Sequence, residues 1–181
     1  MTNSVPVYKV VLIGDANVGK TSLVRRYCEN TFRETRVETI GIDFQSHTVE
    51  LNDEESVCLV IWDVAGQERF SGFRDQYYMG ALAVALVYDI TYPPSFENLN
   101  VWQQEFQRAI PGVPALLVGN KTDLEMTVDP SEAEAWAAGY DYPFALVSAK
   151  TSENVDAMFM RLAEMAHQHL QDLESFNSPF L

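Results

Sequence analysis

Residues 14–21 read GDANVGKT, behind the apolar run VYKVVLI at 7–13 and ahead of SLVRRYCENTF at 22–32. Two glycines, a lysine and a hydroxyl residue at this spacing, between a strand-like run and a helix-like stretch, form a loop that wraps a chain of phosphates. Gly14 and Gly19 let the backbone bend. The N–H groups of Asp15, Ala16, Asn17, Val18, Gly19, Lys20, Thr21 and Ser22 then turn toward phosphate oxygens. The helix starting near Lys20 adds the positive end of its dipole. Lys20 is expected to reach the outer phosphates and the Thr21 hydroxyl to ligate Mg²⁺. The competing reading is a chance glycine turn, and the motif alone leaves the base and the reaction open.

The composition narrows the classes. A chain of 181 residues that is 47% hydrophobic suffices for one well-buried domain and is short for two. Lys and Arg number 12 against 26 Asp and Glu, a formal charge of −14. An acidic surface is repelled by nucleic-acid phosphates and by anionic membranes, so both are excluded as electrostatic partners. A phosphate site here must rely on local donors. Cys28 and Cys58 make neither a disulfide framework nor a zinc pattern and are expected to be buried thiols. MTNSVPVYK lacks the layout of a signal peptide, and the longest apolar run, ALAVALVY at 81–88, falls well short of the roughly 20 residues that span a bilayer. The expectation is a soluble, intracellular protein.

Short apolar runs alternate with amphipathic stretches. Strands are expected at Val7–Ile13, Leu82–Tyr88, Ala115–Val118 and Phe144–Val147. A hairpin is expected from Ile42–Leu51 and Val57–Trp62 around the charged turn Asn52-Asp53-Glu54-Glu55. Phe96, Leu99, Trp102, Phe106 and Ile110 lie on one helical stripe that ends at Pro111-Gly112. Asp129-Pro130-Ser131-Glu132 reads as a helix N-terminus, and Val155, Met158, Phe159, Leu162 and Ala166 form a last stripe. Such stripes are core faces. Alternating strands and helices give an α/β fold with parallel pairing and one antiparallel strand. The domain is expected over residues 7–171, with a short N-terminal extension at 1–6 and a frayed tail at 172–181.

Two further motifs sharpen the chemistry. In WDVAGQERF, Asp63 stands at the carboxyl end of a strand, where open α/β sheets bind ligands. It can hold a metal directly or through water. Gly66 can offer an N–H to a terminal phosphate, and Gln67 can orient an attacking water. Asn120-Lys121-Thr122-Asp123 and Ser148-Ala149-Lys150 follow two more strands. The Asp123 carboxylate can accept paired hydrogen bonds from N1–H and N2–H₂ of guanine, which adenine cannot donate; a site built this way rejects the wrong base by roughly 10⁴ or more. The stems of Lys121 and Lys150 can lie on the base, and the Ala149 N–H can meet the guanine carbonyl.

GDANVGKT, Thr39, DVAGQ, NKTD and SAK, in this order, resemble the small Ras-like GTPases over Val7 to Gln168. Phosphate loops alone are shared with nucleotide kinases and motors; the base-reading motifs are not. TIGIDF at 39–44, IW before Asp63, QERF at 67–70, YYMGA at 77–81 and LVYDIT at 86–91 are most similar to the Rab family. The resemblance implies a six-stranded sheet flanked by five helices and a switch between GTP and GDP with Mg²⁺ as cofactor. It implies that Thr39 meets the metal when the γ-phosphate is present and that Phe32 packs on the guanine. Catalysis then falls to Gln67, Lys20 and Thr39, and the metal to Thr21, Thr39 and Asp63. Effector proteins would dock on Ile42, Phe44 and Trp62 between two switch loops, with an exchange factor and a GTPase-activating protein expected and the chain itself monomeric.

The chain departs from the pattern at Ala16 and Asn17, where Asn tolerates left-handed dihedrals. It also ends in SPFL rather than prenylated cysteines, so membrane attachment requires a lipidated terminus other than this one. Two other functions fit less well. A guanine-nucleotide-dependent binding module with negligible hydrolysis would not need Gln67. A phosphotransferase would not need NKTD and SAK. A Ras-like GTPase without lipid and outside membrane trafficking is a further alternative.

Overall fold

Apart from Lys9 the run VYKVVLI is apolar, and it becomes β1 (Val7–Ile13), a strand covered on both faces from Val10 to Ile13. The computed structural model describes residues 5–33, 39, 41–66 and 71–177. β3 (Glu55–Val64) and β4 (Ala83–Asp89) flank β1 in parallel, β5 (Ala115–Asn120) and β6 (Phe144–Val147) continue the sheet in parallel, and β2 (Ile42–Asn52) closes the other edge antiparallel to β3. The six strands run in the order β2-β3-β1-β4-β5-β6. The expected hairpin is present with longer arms: both strands extend into the charged turn, leaving Asp53-Glu54 as its tip, and the Asn52 side chain accepts the Glu54 N–H at 3.0 Å.

Alternation along each strand splits the core in two. Tyr8, Val10 and Leu12 of β1 face one cluster with Ala83, Ala85, Leu116 and Val118. That cluster is covered by Leu23 and Val24 of α1 (Lys20–Glu29) and by Val155, Met158, Phe159 and Leu162 of α6 (Val155–Asn177). Val11, Ile13, Val84, Leu86 and Leu117 face the other, under Tyr78 of α2 (Ser71–Tyr78), Leu99, Trp102 and Phe106 of α4 (Leu99–Ala109), and Ala133 and Ala137 of α5 (Pro130–Ala138). Asp129 caps α5 as its sequence implies, accepting the Ser131 N–H at 2.9 Å with proline following it.

Three features differ from the reading of the sequence. The stripe from Phe96 to Ile110 is broken at Asn98 into α3 (Pro93–Glu97) and α4, because the ψ of −8° at Asn98 opens the turn, so six helices rather than five stand among the described residues. The last helix does not stop at Asp172. It continues through residues that favour helix, Gln, Leu and Glu, to Asn177, with Leu170 still packed on the core. Cys28 and Cys58 are half-buried free thiols rather than fully buried ones. No helix among the described residues is long and apolar enough to cross a membrane.

Phe159 of α6 is fully buried and stacks on Tyr27 of α1 with ring centroids 4.1 Å apart. Truncation there removes a ring from the layer joining α1 and α6 to the sheet face. We expect Phe159→Ala to lower unfolding stability by about 3–5 kcal/mol, read as a lower urea midpoint at unchanged slope. A loss below about 1 kcal/mol would show that this face is not the closely packed layer described here.

Candidate nucleotide site

The parallel register aligns the strand ends. Leu12 pairs with Asp63, Asp89 with Asn120, and Asn120 with Val147, so the loops after β1, β3, β5 and β6 emerge along one edge. Ligands of open α/β sheets bind at that edge. A cavity of about 280 Å³ opens there, and most of the residues picked out by sequence line it: Ala16, Asn17, Gly19, Lys20, Thr21, Ser22, Phe32, Thr39, Gly66, Asn120, Lys121, Asp123, Ala149 and Lys150. Asp15, Val18, Asp63 and Ser148 stand behind this wall. Gln67 lies outside the described residues.

The phosphate loop takes the conformation its sequence requires. Gly19 has φ 100°, and a Cβ there would lie 2.3 Å from the Asn120 amide nitrogen, so glycine alone fits. Asn17 sits at φ 66°, the left-handed region that Asn tolerates, so this departure from the family pattern leaves the loop intact. Lys20 is buried, and its Nζ donates to the carbonyls of Gly14 and Asp15 at 2.8 Å each. Burial lowers its pKa to about 8; Asp63 and Asp15 oppose the shift and the Arg74 charge adds to it.

Beside Lys20, three oxygens converge. The Thr21 and Thr39 hydroxyls are 2.6 Å apart, the Thr39 hydroxyl donates to Asp63 Oδ2 at 3.0 Å, and the Thr21 hydroxyl donates to the same oxygen. The other carboxylate oxygen, Asp63 Oδ1, is buried without a partner. Burial raises the Asp63 pKa, against the pull of Lys20 and the two threonines. Two hydroxyls and a carboxylate short of one partner are the hard oxygen donors that Mg²⁺ takes. No group of three or more His, Cys, Asp or Glu side chains forms a metal site among the described residues, so this mixed set is the candidate. Gly66 follows β3 so close to the phosphate loop that a Cβ would lie 2.4 Å from the Asp15 carbonyl carbon.

The base end is built around Asn120. Its amide donates to the Val18 carbonyl at 2.9 Å and accepts from the Ala149 N–H at 3.2 Å. The Ala149 N–H expected to meet a guanine carbonyl is therefore already engaged, by a long bond. Asp123 accepts one hydrogen bond, from Ser148 Oγ at 2.6 Å, which leaves acceptor capacity for a pair of N–H donors. Lys121 holds φ 78° and spans the loops, donating to the Asn17 carbonyl at 3.0 Å and pairing with buried Asp89. Strained backbone of this kind is typical of functional sites.

Sequence reasoning missed six wall residues, Thr31, Val64, Ala65, Leu124 and two cations, Arg25 and Arg33. With Lys20, Lys121 and Lys150 the two arginines bring cations to the cavity of a chain whose net charge is −14. A signal for Arg25 was present: it lies four residues after Thr21, hence on the same face of α1. Asp15 was also read only as a loop residue; its carboxylate accepts from Trp102 Nε1 at 2.7 Å and Asn98 Nδ2 at 2.8 Å, both on the far side of the sheet edge.

A glycine-hinged loop around a buried lysine, three converging oxygens and the loops after β5 and β6 share one edge of the sheet, the edge at which α/β proteins of this class bind nucleotides. The chain belongs to the Ras family, whose model matches residues 9–168. It is 42% identical over 175 residues to Ras-related protein Rab-1D of Dictyostelium discoideum, covering 95% of this chain and 85% of that one. It is 45% identical over 160 residues to Ras-related protein Rab-1A of the same organism, covering 87% and 79%. It is 41% identical over 167 residues to GTP-binding protein ypt1 of Schizosaccharomyces pombe, covering 91% and 82%. It is a small Rab-like GTPase, a GTP hydrolase.

Two outcomes follow from the geometry. Asn120→Ala removes the two buried bonds by which its amide joins the phosphate loop to the base loop. At about 0.5–1.5 kcal/mol each, their loss should raise the dissociation rate of guanine nucleotides by about 10- to 100-fold, measured by release of a fluorescent analogue. An unchanged rate would mean that the loops hold their places without it. Lys20 provides a pH test. Its pKa is about 8 in the ligand-free fold against an ordinary 10.5, so between those values the unfolded chain binds more protons and ligand-free stability rises with pH. Phosphates restore the charged form, so nucleotide binding at about pH 9 should take up a proton in the wild-type chain and not in Lys20→Met. Calorimetry in buffers of different ionisation enthalpy reads this, and equal uptake by the two proteins contradicts it.

Proposed function

We propose that the chain is a Rab-type switch that binds GTP and GDP with Mg²⁺, hydrolyses GTP slowly and recruits effectors in vesicle or membrane trafficking from the cytoplasm. The observation that carries the reading is the convergence of Thr21, Thr39 and Asp63 oxygens, with one carboxylate oxygen orphaned, beside a buried Lys20. Mg²⁺ held by those residues would neutralise phosphate charge and orient the outer phosphates. Lys20 exchanges its two carbonyl partners for phosphate oxygens. The Gly66 N–H serves the terminal phosphate, and Gln67 orients the attacking water without taking its proton. Asp123 reads the guanine edge, the stems of Lys121 and Lys150 flank the base, and Phe32 covers it.

The effector surface is supported by β2 and β3. Phe44 is 65% exposed, lies opposite Trp62 in the hairpin and stacks on it at 6.1 Å, while Lys9 Nζ sits 3.5 Å over the Trp62 ring. Ile42 and Trp62 are half-buried against the core. As plain strand residues Ile42 and Trp62 need no partner; Phe44, exposed and stacked on Trp62, joins them into a contiguous apolar patch, the feature that takes one. The switch loops, about Asn30–Gly41 and Val64–Met79, flank this surface. An exchange factor and an activating protein complete the cycle, and residues 7–171 form the GTPase domain. Membrane attachment would need a lipidated terminus.

Asp123→Asn should move preference from guanine to xanthine nucleotides, because the amide donates where xanthine carries a carbonyl, and the parent should discriminate against ATP by roughly 10⁴. Comparable ATP and GTP affinities in competition would refute the base assignment. Gln67→Leu should slow hydrolysis while leaving GTP affinity nearly intact. Phosphate release over hours separates the GTPase from a binding module that scarcely hydrolyses; a supplied arginine accelerates relatives by roughly 10³–10⁵. Fast unstimulated turnover would direct attention to Arg25 or Arg33 acting in cis.

A further inference from the structure

The edge of the sheet opposite the nucleotide site carries a second, open cavity of about 490 Å³, between the loops that lead into β5 and β6. Part of its wall is the sequence Tyr140-Asp141-Tyr142, which closes α5. The N–H groups of Tyr140 and Tyr142 both donate to the Ala137 carbonyl at 3.0 Å, and that of Asp141 to the Ala138 carbonyl at 3.2 Å. Asp141 completes this turn at φ 59°. Glycine is the favoured residue at a left-handed position after a helix, and a carboxylate at the negative end of the helix dipole is unfavourable. Asp141 is disfavoured on both counts, and its carboxylate makes no hydrogen bond or ion pair among the described residues. Local stability does not explain it.

The left-handed turn does bring the two tyrosines together. Their rings stack with centroids 5.5 Å and planes 19° apart, and Trp136 packs on Tyr140 at 4.8 Å. Helix α4 fixes this group of rings. Gln107 Nε2 donates to the Tyr142 hydroxyl at 3.2 Å, and Asn100 Oδ1 accepts from Trp136 Nε1 at 3.0 Å. Tyr140 stays 39% exposed, and Asp141 is the only charged residue in the described wall of the cavity.

We propose that this cavity is a docking site for an arginine side chain carried by a partner protein. Aromatic faces and a carboxylate with free acceptor sites are the complement of a guanidinium, which stacks on a ring and pairs with a carboxylate through a planar fork. Charge complementarity selects the sign, since the one charge in the wall is negative and the chain carries −14 overall. A lysine ammonium meets the same charge but has no plane to stack. Rings already held by α4 lose little freedom on binding, which lets a surface cavity anchor a single side chain. Arginine is among the residues that most often anchor a protein interface. The proposal is independent of the nucleotide reading, because no residue of this wall lines the nucleotide cavity.

The test titrates the peptide acetyl-Gly-Arg-Gly-amide into the full chain and follows it by nuclear magnetic resonance. Saturable shifts centred on Tyr140, Asp141, Tyr142 and the Gln107 side-chain amide are expected, with a dissociation constant on the order of millimolar for one anchored side chain. The citrulline peptide, which keeps the shape and loses the charge, should bind about fivefold more weakly or worse, and the lysine peptide should fall between the two. Asp141→Gly should weaken the arginine peptide by about threefold or more while the melting temperature holds or rises, because glycine relieves the turn. Loss of binding in that variant is then not loss of fold. Tyr140→Leu, which removes the exposed ring and keeps the carboxylate, should weaken binding as well and carries the test should the glycine variant not fold. Equal affinity for the arginine and citrulline peptides overturns the proposal. So does unchanged affinity in either folded variant, and so do shifts spread over the acidic surface with no maximum at this cavity.

Discussion

One buried amide holds the mouth of this protein together. Asn120, 1% exposed at the end of β5, reaches Val18 of the phosphate loop with its nitrogen and Ala149 of the base loop with its oxygen. These loops come from opposite ends of the sequence, and Lys121, donating to the Asn17 carbonyl, and Arg26, donating to the Ala149 carbonyl, tie them further. The parallel register of β4, β5 and β6 sets Asn120 level with Asp89 and Val147, so the tie is made from the centre of the edge outward. Gly19 makes room for it, since any side chain there would occupy the amide's place. Asn120 is the buried member of the set of bonds that fixes the spacing of the two ends of the cavity.

Charge is arranged around the same constraint. The chain as a whole is acidic, so its field repels a nucleotide, and attraction must be local. The cavity wall carries Lys20, Arg25, Arg33, Lys121 and Lys150, and Lys20 and Asp63 are buried. Burial pushes the Lys20 pKa down and the Asp63 pKa up, so an opposite charge brought beside either would stabilise its charged form. Asp63 Oδ1, buried without a partner, leaves acceptor capacity at this point of the site.

Much of this was legible in the sequence, and the pattern of success has a physical basis. The buried strands were read because uninterrupted apolar runs of that length have no other use, and the site because its motifs are short and contiguous. Even the left-handed Asn17 followed from what Asn tolerates. The break at Asn98 was not readable, because the apolar stripe passes through it unchanged and only the backbone angle opens. Helix α2 has too few turns for a period to show. The continuation of α6 to Asn177 runs through exposed residues, so no apolar stripe marked it in the sequence. The role of Asp15 was least accessible: the residues that grip its carboxylate, Asn98 and Trp102, are remote in sequence and meet it only because α4 packs beneath the phosphate loop.

The central claim is that the γ-phosphate, through Thr39 and Gly66, orders the chain on both sides of the nucleotide. Hydrogen exchange on the GDP-bound and GTP-analogue-bound protein tests it most directly. The account predicts slower exchange in the analogue-bound state over Asn30–Gly41 and Val64–Met79, with β4 and β5 unchanged. Equal protection of both segments in the two states would mean that the protein binds GTP without switching.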